Sequence, residues 1–176
     1  MSARSARVGT RRDPVRIAVT GHRSFDAAAT AYITARVGEV LDEAVAGGRP
    51  ARVVTSLAEG ADQLVAAAAV QRGIPVEVII PSAGYAESLP AARDRRQYAE
   101  LLARADSVRT LDHPEPSPAA YRDAGMAMLA NADLLIAVWD SEPARGVGGS
   151  AEIVARAREL SLDLQVIWPP GYHRPR

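Results

Sequence analysis

The feature that most constrains the fold of this chain is a regular alternation of short apolar segments with longer amphipathic ones. Short β-branched runs bounded by glycine or proline indicate strands, and apolar residues spaced three or four apart indicate helices. The pattern predicts strands at 15–20, 52–56, 75–81, 106–111, 134–139 and 164–168, separated by helices at 27–46, 59–72, 93–104, 118–131 and 149–160. Such alternation predicts an α/β fold, in which a mostly parallel sheet of about six strands is covered by helices on both faces.

The length of 176 residues and the 48% hydrophobic content suit one domain with a substantial core. We assign a single Rossmann-like three-layer domain to residues 15–168. Residues 1–14 are polar, aperiodic and dotted with arginine, which predicts a disordered tail. Residues 169–176 are assigned to a C-terminal tail. The most apolar strand, at 134–139, is expected at the centre of the sheet.

Composition excludes several classes of function. The chain has no cysteine, so disulfides, thiolate zinc sites and cysteine nucleophiles are excluded. It has no lysine either, which excludes a Walker-type phosphate loop and Schiff-base chemistry with pyridoxal phosphate. The three histidines are scattered without ligand spacing, so we predict no metal site and no cofactor.

Charge and hydropathy bear on location and partners. The formal net charge is zero, which argues against nucleic acid as a partner. No apolar run reaches the length of a membrane span, and no apolar signal segment opens the sequence. We therefore expect a cytoplasmic protein without a membrane partner.

Three glycine-containing junctions follow predicted strands, at 20–23, 55–62 and 146–152. The carboxyl ends of parallel strands share one edge of a sheet, and ligands bind there where the strand order reverses. The unpaired amides at a helix start carry a positive partial charge and attract phosphate. We therefore predict that the three junctions converge on the phosphate and ribose of a nucleotide-like small molecule.

The residues at these junctions supply the candidate ligand-binding set. Glycine lets the backbone approach a ligand closely, and the planar guanidinium of arginine pairs well with phosphate. Asp62 is also expected to hydrogen-bond the amides of its own loop. The predicted binding residues are Gly21, His22, Arg23, Ser56, Glu59, Gly60, Asp62, Arg145, Gly146, Gly148, Gly149 and Ser150.

Structural alternatives stay open for several of these residues. Arg23 can be a solvated side chain on a tight turn. Glu59 and Asp62 fall in a first helical turn, where carboxylates are favourable for the helix dipole alone. Glu152 can form an ion pair with Arg156 one turn further along the helix.

The junctions resemble motifs of the SLOG superfamily of Rossmann-like proteins. Residues 56–62 are similar to the Ser-Gly-Leu-Ala-Arg-Gly-Ile-Asp motif of DNA-processing protein A (Smf), with Glu59 in place of its arginine. Residues 20–23 resemble the first-strand Gly-His-Arg of the same superfamily, and residues 148–152 resemble the glycine loop of the Lonely guy phosphoribohydrolases. The resemblance implies binding of a nucleotide or nucleotide derivative, in a ligand-binding or sensor protein that forms a homodimer.

Whether the chain is an enzyme stays open at this point. The Lonely guy resemblance implies, as an alternative, an N-glycoside hydrolase acting on a nucleoside 5′-monophosphate. Its catalytic candidates are Glu152 or Asp140, which would stabilise the ribosyl cation or activate water, and Arg122, which would bind phosphate. Ala124 stands where the family has arginine, and Arg122 lies two residues before it. Asp140 can also be a plain turn residue, and a third reading is an interaction protein that keeps the fold without a ligand.

Overall fold

The computed structural model describes residues 13–143 and 149–173, which form one six-stranded sheet between two layers of helices. The strands are β1 Val15–Gly21, β2 Ala51–Thr55, β3 Val76–Ile80, β4 Ser107–Thr110, β5 Leu134–Val138 and β6 Asp163–Ile167. The helices are α1 Ala27–Ala44, α2 Ala61–Gln71, α3 Tyr85–Ser88, α4 Ala92–Leu102, α5 Pro118–Leu129 and α6 Ser150–Glu159. The predicted α/β fold is confirmed, and only the one-turn helix α3 falls in a segment predicted to be irregular.

The sheet is parallel throughout, with the strand order β4-β3-β2-β1-β5-β6. From β1 the chain moves outward through β2 and β3 to β4, and then returns to the other side of β1 for β5 and β6. The strand order therefore reverses between β1 and β5. In open parallel sheets, ligands bind beyond the carboxyl ends of the strands at this reversal.

The prediction that the apolar strand at 134–139 is central was wrong. β1 and β2 occupy the centre, and β5 lies between β1 and the edge strand β6. Four of the five residues of β5 are nevertheless buried, because helices cover the sheet on both faces. The apolar composition of a parallel strand reports this two-sided burial and does not report its position in the order.

Two apolar cores lie on opposite faces of the sheet. Ile17 and Val19 of β1 pack into the core beneath α1, α2 and α4, whereas Ala18 between them packs into the core beneath α5 and α6. On α1, residues such as Ile33 and Val37 are fully buried at helical spacing. The sheet is thereby held rigid on both faces, which fixes the strand ends relative to one another.

Helix starts differ in how they are capped. Asp26 caps α1 as the sequence predicts, since its Oδ1 accepts a hydrogen bond of 2.7 Å from Ala29 N. Ser117 caps α5 in the same way. α2 and α6 begin instead after Gly60 and Gly149, which have no side chain to cap the first turn. The donors at these two helix starts are left to other partners.

Candidate functional site at the carboxyl edge of the sheet

A cleft of about 460 Å³ opens where the strand order reverses. The ends of β1, β2 and β5 and the start of α6 contribute to its walls. Its volume falls in the range of ~300–1,000 Å³ that is usual for small-molecule sites. Seven of the predicted binding residues line it: Gly21, His22, Arg23, Ser56, Asp62, Gly149 and Ser150.

The remaining predicted binding residues have other placements. Arg145, Gly146 and Gly148 lie outside the described residues. Glu59 and Gly60 contact the lining residue Arg23 and are not themselves part of the cleft wall. The structure therefore brings all three predicted junctions together, the third through Gly149 and Ser150.

Two of the glycines allow the turns at the strand ends to contact each other. Gly60 has φ +83°, and a Cβ built on it would lie 2.5 Å from the carbonyl oxygen of His22. A Cβ on Gly21 would lie 2.5 Å from the Cβ of Ala61. The amide of Ala61, at the start of α2, donates a hydrogen bond of 3.0 Å to His22 O. The β1–α1 and β2–α2 turns thus pack backbone to backbone, and one amide at the start of α2 is used within the protein.

Asp62 organises the β2–α2 turn, as predicted. Its Oδ2 accepts hydrogen bonds from Thr55 Oγ1 at 2.9 Å and from Ser56 N at 3.1 Å, and Thr55 Oγ1 accepts one from Leu57 N. Burial raises the pKa of Asp62 to about 6, although the hydrogen bonds from Thr55 and Ser56 act in the opposite direction. Leu57 is held at φ +56° in this turn, a conformation that costs a side-chain-bearing residue energy. The turn is therefore a rigid wall of the cleft.

Arg23 reaches the cleft with its charge already partnered. Its guanidinium lies 3.2 Å from Glu59 Oε1 and 5.5 Å from the centre of the Tyr121 ring, within cation–π distance. The Arg23 side chain is 57% exposed and the Glu59 side chain is 8% exposed, so the pair joins an accessible cation to a buried anion. The open alternative of a freely solvated Arg23 does not hold in this structure.

His22 is fixed by groups distant in the sequence. Its Nε2 lies 3.0 Å from Asp140 Oδ1, after β5, and its ring meets the Trp168 ring edge-on at 5.1 Å. Tyr172 adds a further tie, because its hydroxyl accepts a hydrogen bond of 3.1 Å from Asp26 N and its carbonyl accepts one from Trp168 Nε1. Tyr172 falls in the segment predicted as a tail, and no sequence pattern signalled this contact.

The catalytic candidates occupy two places. Arg122 Nε lies 2.6 Å from Glu152 Oε1, whereas Asp140 is beside His22. The long Arg122 side chain reaches Glu152 although its position on α5 is two residues from the one that the resemblance marks. Arg156, the partner expected for Glu152 by helical spacing, pairs with Glu159 at 2.8 Å.

Tyr85 in the connection after β3 is a core residue. The possibility of a mobile stacking lid is wrong, because Tyr85 is buried and packs edge-on against Tyr98 and Tyr121 at 5.9 and 6.0 Å. Burial raises the pKa of its phenol above the usual range. Tyr85 forms part of the floor of the cleft.

Comparisons with known proteins place the fold. No protein-family model matches the sequence, and no curated protein does. DNA processing protein A from Streptococcus pneumoniae superposes with a TM-score of 0.61 at 19% identity, over 90% of this chain and 51% of that one. The Helicobacter pylori protein of the same name superposes with a TM-score of 0.62 at 15% identity, over 90% and 67%. This chain shares its fold with DNA processing protein A.

The coverage and a third structure define the extent of the likeness. The chain spans about half the length of the Streptococcus protein and two thirds of the Helicobacter protein. A structural-genomics target, TM1055, superposes with a TM-score of 0.52 at 15% identity, over 85% of this chain and 72% of that one. The SLOG resemblance that the motifs indicated is confirmed at the level of the fold.

The expectation that nucleic acid is not a partner was wrong. The Helicobacter pylori protein, which has this fold, is described by its single-stranded DNA binding mode. Net charge is a sum over the whole chain and does not report the charge at one cleft. A net charge of zero therefore gave no ground for excluding nucleic acid.

Two classes of site were sought over residues 13–143 and 149–173. Within these ranges no three histidine, aspartate or glutamate side chains are grouped so that they could hold a metal ion. No helix in the same ranges has both the length and the apolar composition of a membrane span.

Proposed function

We propose that the cleft binds one nucleotide unit, supplied either as a free nucleotide or as part of a single-stranded nucleic acid. The observation that carries the proposal is that a guanidinium and an uncapped helix start line the same cleft, at the reversal of strand order. These are the two kinds of group that proteins use most readily for a phosphate in a parallel α/β fold.

The phosphate is assigned to Arg23 and the first turn of α6. A guanidinium has five N–H donors, and the contact with Glu59 involves one terminal nitrogen of Arg23. Ser150 adds a hydroxyl at the helix start, where the helix dipole favours an anion.

The base and sugar are assigned to the aromatic part of the lining. Tyr121 and Trp139 line the cleft together with His22. Aromatic rings stack on any base, at about 1–3 kcal/mol per base, without requiring a particular sequence. This chemistry suits a free nucleotide and a single strand equally, and the likeness to a single-stranded DNA-binding fold supports testing both.

Titration calorimetry with dTMP and with a 20-residue oligo(dT) tests the proposal. Replacing Arg23 by glutamine removes a charge-assisted contact worth about 1.5–3 kcal/mol, so we expect affinity for both ligands to fall by about tenfold or more. Arg36→Gln is the matched control, because it removes the same charge from an exposed ion pair on α1. Absence of binding to either ligand, or equal weakening by the two variants, would contradict the proposal.

The same titrations separate the two sources of the nucleotide unit. A strand ligand predicts tighter binding of the oligomer than of dTMP, with an affinity that falls steeply as salt is raised. A free-nucleotide ligand predicts that dTMP binds at least as tightly per site. Chromatography of the dTMP mixture for free thymine tests the hydrolase alternative, for which the contact between Arg122 and Glu152 is the supporting observation.

A further inference from the structure

We propose that Glu59 sets the charge of the ligand, so that the cleft accepts a nucleotide unit with a single phosphate group in preference to a nucleoside di- or triphosphate. The inference rests on the proposed function and names the ligand class of the same site. A phosphomonoester and the phosphodiester of a strand both satisfy it.

The first observation is the shortage of positive charge in the cleft. Of the described residues that line it, Arg23 is the one arginine, and the chain has no lysine. Its guanidinium lies 3.2 Å from the Glu59 carboxylate, so the cation that faces the cleft is largely neutralised before a ligand arrives. A ligand phosphate must share Arg23 with Glu59.

The second observation is that Glu59 cannot readily release Arg23. Its side chain is 8% exposed, and its second oxygen, Oε2, is buried without a hydrogen-bond partner in the part of the chain that the structure describes. Removing the cation from a buried carboxylate leaves an uncompensated charge, which is strongly unfavourable. The ion pair therefore persists when a ligand binds, and its hydrogen-bond donors are shared.

The third observation is the surplus of carboxylates around the cation. Asp62 lines the cleft, and Asp140 lies beside the lining residue His22. Each phosphate beyond the first adds negative charge near these groups without a further arginine among the described lining residues to receive it. Like charges brought together in a partly enclosed cleft repel, which favours the ligand of lower charge.

Glu59→Gln tests the inference with little change of shape. Glutamine keeps a carbonyl oxygen that can accept a hydrogen bond from Arg23, and it removes the negative charge. With magnesium-free dTMP and dTTP, we expect wild type to bind dTMP more tightly. In the variant we expect dTTP to gain about tenfold in affinity and dTMP about threefold, so that the preference narrows or reverses.

Glu39→Gln is the control for a general change of net charge. Glu39 pairs with Arg36 on the exposed face of α1, so its removal changes net charge by the same amount elsewhere. We expect both affinities of this variant to stay within about twofold of wild type, because exposed charges are screened by salt over about 10 Å.

The outcomes separate this inference from the proposed function. A wild-type preference for dTTP overturns the inference without any need for a variant. A ratio of dTMP to dTTP affinity that is the same in wild type and Glu59→Gln also overturns it, while binding itself upholds the proposed function. Failure of dTMP, dTTP and oligo(dT) to bind wild type overturns both.

Discussion

The two turns that meet in the cleft are held in opposite ways. The β2–α2 turn is self-contained, since Asp62, Thr55, Ser56 and Leu57 hydrogen-bond one another within eight residues of chain. The β1–α1 turn makes its contacts far along the sequence. His22 contacts Asp140 and Trp168, and Asp26 donates to Tyr172, 146 residues away.

The difference teaches where rigidity and adaptability lie in the site. A turn with short-range bonds has its shape as soon as its own residues are ordered, because little chain entropy is lost in closing it. A turn held by distant segments has its shape only when the whole domain is folded. Gly60 joins the two turns, and it is the first position at which the comparison can be broken.

Gly60→Ala should have the largest effect. The new Cβ would lie 2.5–2.6 Å from backbone atoms of His22 and Arg23, at φ +83°, so the turns must separate and the backbone is strained. We expect a loss of about 3 kcal/mol in the free energy of unfolding, measured by urea denaturation.

Gly73→Ala is its control, because Gly73 has φ +67° and a Cβ there would meet no atom within 4 Å. It should cost about 1–2 kcal/mol from strain alone. Equal losses for the two variants would show that the contact between the turns contributes nothing to stability.

Asp62→Asn should have an intermediate effect that depends on pH and is confined to the self-contained turn. We expect a loss of about 1–3 kcal/mol, because the donors of Thr55 and Ser56 lose a carboxylate acceptor. The folded protein raises the pKa of Asp62 from 3.8 to about 6, so the folded state binds the proton more tightly than the unfolded state.

The sign of the pH dependence follows from this raised pKa. The stabilising contribution of protonated Asp62 is complete below about pH 4 and is lost as the pH rises through about 6. Urea denaturation of wild type and Asp62→Asn at several pH values isolates it, since other groups titrate alike in both proteins. The wild-type advantage should shrink from pH 4 to pH 7, and an advantage that grows over this range would contradict the assignment.

Tyr172→Phe should have the smallest effect, on the turn held from a distance. The substitution removes the hydroxyl that accepts from Asp26 N and keeps the ring that packs on Trp168. We expect a loss of about 1 kcal/mol or less, with faster amide hydrogen exchange at Asp26. Tyr32→Phe, on an exposed side chain of α1, should change neither quantity, and unaltered exchange at Asp26 in Tyr172→Phe would show that the tie is not formed in solution.

The sequence predicted the parts of the site whose signals are local. The periodicity of apolar residues located α1, and Asp26 was recognisable as its cap. Asp62 was predicted to bond its own loop, because a carboxylate seven residues after Thr55 at a helix start reaches back only to that loop. The interpretation of Tyr85 failed, since a lone aromatic residue in a connection gives no sign of the buried ring cluster that receives it.

The sequence alone determined the order of strands and helices, and with it the common edge at which the glycine-containing junctions end. Alternating hydrophobicity is a property of neighbouring residues, so it can be recognised along one chain. Tertiary structure alone decided that β5 lies beside an edge strand, that Glu59 neutralises Arg23, and that Trp168 and Tyr172 hold the first turn. These pairings join segments whose separation along the chain carries no pattern, and only the packing of two helical layers on one sheet brings them together.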